Sequence, residues 1–354
     1  MILTYKVKHN TDLSTELSKA RQVADFAINN RDKLSSKWVK HFGLKSAISN
    51  QILRKYGKNK KCKSVQSVKL IIPNQCIKII DKRIRVIPLN INLKLDKEFE
   101  KVNLIEMDEK YAYISVTIKE QETFKPINHI GVDLNATSHC AVVAIKETGK
   151  VFKLGKSAQH QHNKYKFIRR DLQKKGKYKK VKQIKNRENR IITDINHKIS
   201  RFIVNQAVSN KASINLENLN NVRKNKNHKK SFNHTLHTWS FYQLKQFIKY
   251  KATLAGVTLS LIDPAYTSKC CSICGTIGDR KGKYFKCSHC GHVEHADVNA
   301  AFNIAFPSQS IVQLQAERDA CKGNSDIPQG APLISQTTLK IQQLKNSGYV
   351  SLRR

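Results

Sequence analysis

Two Cys-x-x-Cys pairs, Cys271/Cys274 and Cys287/Cys290, with twelve residues between them, constrain this chain more than any other feature. Each pair turns two thiolates toward one point, and two such knuckles complete a tetrahedron, the geometry zinc accepts without d-electron preference. Gly275 and Gly291 directly follow the pairs and suit tight knuckle turns. Four thiolates leave no open coordination position, so the expected ion is structural. Cys270 offers a rival register with Cys274, but three residues would then separate the ligands instead of two, which favours Cys271. His289, His292 and His295 are expected bystanders, and Cys62, Cys76, Cys140 and Cys321 scattered thiols.

Clustered cysteines imply metal before disulfide where thiols stay reduced. The N-terminus, MILTYKVKHN, lacks the order of a signal peptide, and no apolar run of about 18 residues suggests a spanning helix. The expectation is therefore a cytoplasmic protein with no membrane partner. Its 354 residues carry 65 Lys+Arg against 26 Asp+Glu, a formal net charge of +39. So lopsided a chain repels itself unless it meets a polyanion, and nucleic acid is the leading partner. Between Lys153 and Arg190 fifteen basic residues face two acids, Asp171 and Glu188, and Arg223–Lys230 adds five more basic residues. Such density suits sequence-independent phosphate binding. A solvated basic face is the ordinary alternative for short charge runs.

Residues 1–10 alternate as a strand does, whereas 12–56 carry helical spacing (Leu13, Leu17, Ala20, Val23, Ala24, Ala27). Residues 65–119 hold short β-branched runs: VKLII, CIKII, RIRVIPL and AYISVTI. This predicts a β-rich module (1–10 and 65–125) with a small helical insert (11–64). From 126 to 306 the texture becomes α/β. INHIGVDLN, SHCAVVAIKE, VFKLGK, SINLENLN and VTLSLIDP read as strands. A polar helical region spans 163–209, an amphipathic helix runs through WSFYQLKQFIKYKATLAG, and another covers DVNAAFNIAF. The cysteine module occupies 267–295, and the tail 307–354 is expected to be disordered.

Acids are scarce, yet Asp133 ends HIGVD, Glu217 ends SINLE, and Asp297 opens the helix after the cysteine module. Strand-end acids on adjacent strands converge at one sheet edge, and crowded carboxylates need a divalent cation. Magnesium takes one or two carboxylates and keeps waters that can be activated. Two such ions, about 3.5–4 Å apart, would hold the attacking and leaving oxygens of a phosphodiester displacement. Singly, Asp297 reads equally well as a helix N-cap and Asp133 as a surface turn acid.

In order, GVDLN, LENL, W-S-F-x-x-L with its later YKA, DPAYTSKCCSICG, FKCSHCG and DVNAAFNIA resemble the OrfB/TnpB proteins of insertion sequences, relatives of compact type V CRISPR effectors. The resemblance covers about residues 128–306 and extends to an N-terminal layout like the family's wedge and recognition modules. It implies a RuvC-like nuclease with an RNase H fold and an inserted zinc ribbon, guided by an RNA from the element's own end. Double-stranded DNA beside a short flanking motif would be cut on both strands, with base pairing supplying the sequence specificity. By motif position, Asp133, Glu217 and Asp297 match the catalytic acids that hold magnesium, in two ions. Cys271, Cys274, Cys287 and Cys290 match the zinc ligands. Guide RNA and target DNA are the implied partners of an expected monomer, nucleoid-associated when bound to DNA. Asn135 stands where glycine is common, and Ala296 replaces an arginine often found before the third acid. The alternatives are a guided DNA-binding regulator without cleavage, a transposase accessory protein, or a zinc-ribbon protein of the translation or transcription machinery.

Overall fold

The structure is a computed structural model that describes residues 1–80, 83–135, 138–219, 241–308 and 311–316. The basic run Arg223–Lys230, Trp239, Cys321 and most of the tail lie outside these residues. The chain divides into two compact units, Met1–Gln121 and Glu122–Arg354.

In the first unit, β1 (Ile2–Lys8), β2 (Leu70–Pro73), β6 (Lys101–Met107) and β7 (Tyr111–Thr117) form an antiparallel sheet ordered β1-β7-β6-β2. Between β1 and β2 lie α1 (Ser14–Asn29) and α2 (Ser46–Gly57), joined through a 3-10 turn at Ser36–Phe42. The helical spacing read across 12–56 thus resolves into two helices, with Gly43 in the left-handed region after the 3-10 turn. Ala20, Val23, Ala24 and Ala27 of α1 are fully buried, so small side chains let the helix lie close on the core. β3 (Ile77–Ile80), β4 (Arg83–Val86) and β5 (Ile91–Lys94) make a second antiparallel sheet.

The second unit is built on a five-stranded mixed sheet. Its strands are β8 (Asn128–Leu134), β9 (Ala141–Ile145), β10 (Lys150–Leu154), β11 (Ala212–Glu217) and β12 (Leu259–Ile262), ordered β10-β9-β8-β11-β12. The first three pair antiparallel through short turns, while β8–β11 and β11–β12 are parallel. β9 and β11 are buried along their whole length, as expected for strands covered on both faces. The helices are α3 (Lys156–Lys174), α4 (Tyr178–Ser209), α5 (Phe241–Leu254) and α6 (Ala296–Ala305). Ile130, Val132, Ile214 and Leu216 pack with Ile199 and Ile203 of α4 and Leu244 and Ile248 of α5 on one face. Val142 and Ala144 meet Val298 and Ala301 of α6 on the other.

The polar helical region begins earlier than its spacing suggests, at Lys156, and breaks at Gly176, which takes φ +65°. Buried Glu188 ties the two halves together through His162 Nδ1 (2.8 Å) and Arg169. Within the tail, residues 311–316 are helical, and the Gln315 amide donates to the carbonyls of Asp263 and Ala265 at 3.1 and 2.8 Å.

Candidate active site and metal centre

Period-2 alternation decides where the acids point. Ile130 and Val132 face α4 and α5, so Gly131 and Asp133 face α6; by the same logic Asn215 and Glu217 of β11 face α6. Leu216 pairs with Val132 on the parallel neighbour, so Glu217 and Asp133 are the next residues along adjacent strands, about 4.8 Å apart across the sheet. The close approach of α6 follows from Gly131, where an added Cβ would lie 1.9 Å from the Ala301 carbonyl oxygen. The Asn215 amide donates to the carbonyls of Ile304 and Ala305, fixing the C-terminal end of α6. His295 caps the other end, its Nδ1 accepting from the Asp297 amide. Together these contacts set Asp297 beside the two strand-end acids.

All three acids are buried: Asp133 and Glu217 are each 7% exposed and Asp297 2%. Burial, and then the charge of Asp297, raise Asp133 to about 7 against the opposing hydrogen bond of Asn135 and the charges of Lys283 and Arg280. Burial and the charge of Asp133 raise Glu217 to about 8, against a hydrogen bond from Thr267. The Asn135 amide donates to Asp133 Oδ2 at 2.7 Å, and the Thr267 hydroxyl donates to Glu217 Oε1 at 2.9 Å. Burial and neighbouring negative charge favour a cation beside these acids, although their carboxylate oxygens do not close to within 4.8 Å of one another as the sulfurs of the four cysteines do.

The four cysteines sit on a ribbon of three antiparallel strands: β13 (Asp279–Lys281), β14 (Tyr284–Lys286) and β15 (Val293–His295). Their Sγ atoms all lie within 4.8 Å of one another, the one such metal-capable group among the described residues. Cys271–Cys290 and Cys274–Cys287 sulfurs are 3.7 and 3.5 Å apart. A tetrahedron with metal–sulfur bonds of about 2.3 Å has edges of about 3.8 Å, so the set fits zinc. Burial pushes Cys271 up to about 12; in Cys274 hydrogen bonds with Thr276 outweigh burial and pull it down to about 5. Four thiols so placed need a cation to ionise together. Cys270 stays outside this group. Its carbonyl accepts from Asn299 and Asn303, at 2.7 and 2.8 Å.

Sequence reasoning missed the residues that join ribbon to acids. Asn303 also donates to the Thr267 carbonyl, Asn299 accepts from the Ser272 amide, and Lys283 Nζ contacts Asp297. Asn299 and Asn303 stand four apart on one face of α6, and two asparagines among the apolar residues that follow Asp297 in that helix were the available signal. Ala296 is fully buried and packs with Phe285 in the ribbon core. Of the aromatics set among basic residues, Tyr165 is buried, whereas Phe167 and Tyr178 are exposed.

Residues 241–304 match the family model of the Cas12f1-like TNB domain. The CRISPR-associated endodeoxyribonuclease Cas12f1 of Sulfoacidibacillus thermotolerans is 34% identical over 218 residues, 56% of this chain and 50% of its own length. InsQ of Escherichia coli K12, named as a candidate RNA-guided DNA endonuclease, is 24% identical over 250 residues, 65% of this chain and 60% of its own length. A TnpB-like protein of Methanocaldococcus jannaschii is 30% identical over 237 residues, 64% of this chain. Because that match takes in 77% of the archaeal protein, this chain belongs to the TnpB (OrfB) family, relatives of the compact type V effectors.

Proposed function

We propose that this chain is a transposon-associated, RNA-guided DNA endonuclease. Its RuvC-like domain, with an RNase H fold, hydrolyses a double-stranded target in a divalent-metal-dependent reaction. The observation that carries the reading is the convergence of Asp133, Glu217 and Asp297, from two parallel strand ends and a helix start, in one buried cluster. The mixed sheet with helices on both faces supports the fold, and the names of the relatives support the activity.

Asp133, Glu217 and Asp297 would hold magnesium, which supplies Lewis acidity and an activated water for phosphodiester displacement. Asn135 and Thr267 orient two of these acids, and burial under α6 limits water around them. Cys271, Cys274, Cys287 and Cys290 hold zinc, which braces the ribbon from which α6 starts without a linker. The basic hairpin of α3 and α4 binds the guide–target duplex through its backbone, with Phe167 and Tyr178 open to stack on bases. The first unit serves as wedge module and helical recognition insert.

Sequencing the RNA that copurifies with the protein, then offering a matching duplex, tests this reading. A defined RNA ending in a variable segment is expected, with cutting only in magnesium and none by Asp133→Ala. Featureless cellular RNA, or cutting retained by that variant, overturns it. Guided binding without cleavage under any divalent metal would favour the regulator instead.

A further inference from the structure

Lys283 lies beside Gly282 in the turn joining β13 to β14. Its Nζ donates to both carboxylate oxygens of Asp297, at 2.9 and 2.6 Å, and reaches Asn135 Oδ1 at 3.4 Å. Asn135 in turn donates to Asp133. One ammonium therefore covers both oxygens of one acid and is linked through an amide to a second.

The two ends of this ion pair differ in freedom. The Asp297 side chain is 3% exposed and set by the helix, whereas the Lys283 side chain is 39% exposed and has solvent to withdraw into. The main chain of Lys283 is anchored, its carbonyl accepting from the Ala296 amide at 2.8 Å. Withdrawal thus needs only side-chain rotation. An ammonium and a divalent cation cannot both occupy the two oxygens of Asp297, since like charges at that range repel strongly in a buried site.

We propose that Lys283 is a stand-in cation that holds Asp297 while the acid cluster carries no metal ion and yields both carboxylate oxygens when one binds. This rests on Asp297 being a metal ligand. The lysine sets a threshold for metal loading. A nucleic-acid phosphate arriving beside the cluster offers the ammonium another partner, so substrate and metal binding favour each other.

The test follows thermal unfolding of the zinc-loaded, RNA-free full chain against magnesium concentration at one fixed, mildly alkaline pH. In Lys283→Met the magnesium needed for half the stabilisation is expected to fall about fivefold, the loss expected for a partly exposed ion-pair competitor. Its metal-free midpoint should drop below wild type, while Lys283→Arg stays near wild type in both measures. One zinc per chain verifies folding, and Lys283→Gln replaces the Met variant if that chain does not fold. A Met or Gln variant that needs as much magnesium as wild type overturns the inference while leaving the metal site standing. Equal magnesium responses of wild type and Asp297→Asn overturn the metal-site reading, and this inference with it.

Discussion

Asp133 and Glu217 hold their protons into the neutral range because burial, and then the charge of a neighbouring acid (Asp297 on Asp133, Asp133 on Glu217), penalises the ionised forms. Both acids bind protons more tightly folded than unfolded. Their contribution to the stability of the metal-free protein is therefore fully present below the ordinary carboxylate values of 3.8 and 4.5, and lost as pH rises through about 7 and about 8. The thermal midpoint in chelator should fall between about pH 4.5 and about pH 8, and both magnesium and Asp133→Asn should flatten that fall. A wild-type slope unchanged in Asp133→Asn would argue against the crowding described above. Thr267→Val removes the donor that lowers Glu217, so the pH of half-maximal cutting should move up and the rate drop about tenfold; Thr267→Ser should restore both. Asp133 and Glu217 were legible because each ends an apolar run in an acid-poor chain, and Asp297 because it opens the helix after the cysteine module. Thr267, Asn303 and Lys283 were not, since each acts on a partner that only the folded chain brings near.

The contact between β8 and α6 fixes the cluster at the scale of elements. Gly131→Ala would drive a Cβ to 1.9 Å from the Ala301 carbonyl and 2.3 Å from the Ala305 nitrogen, both backbone atoms that cannot turn aside. The expected loss is about 3 kcal/mol in urea unfolding, at the upper end of overpacking costs, together with loss of cutting. Asn215→Leu leaves two α6 carbonyls short of their donor and should cost about 1–3 kcal/mol. The ribbon has only Phe285, Ala296 and its own cysteines as a core, too little to order strands of three residues without a cation. Cys287→Ser or zinc chelation should therefore raise hydrogen exchange over 267–296 and at the start of α6, while the Met1–Gln121 unit keeps its protection. The strands of the second unit were legible from their apolar runs. The break at Gly176 was not, because charge density on both sides hides the helix stop.

Across the whole molecule, a net charge of +39 predicts nucleic-acid binding that weakens by about a thousandfold or more between 50 and 200 mM salt. A shallow dependence in a binding titration would show that the basic hairpin does not meet phosphates. Charge was legible from composition alone; which basic side chains face one another was not, since Glu188 gathers His162 and Arg169 from across the hairpin. The chain also differs from place to place in how it tolerates a change of length. At Gly149 and Gly176 nothing lies within 4 Å of an added Cβ, so loops can grow there at little cost. The step from Asp297 to Asn299 is the opposite case. Asn299 and Asn303 clamp one side of α6 to the ribbon's entry, so a single residue inserted between Asp297 and Asn299 would swing the acid by about 100° around the helix axis. Drift in length among relatives should therefore collect in the two turns and be absent from those three positions, whatever happens to the side chains around them.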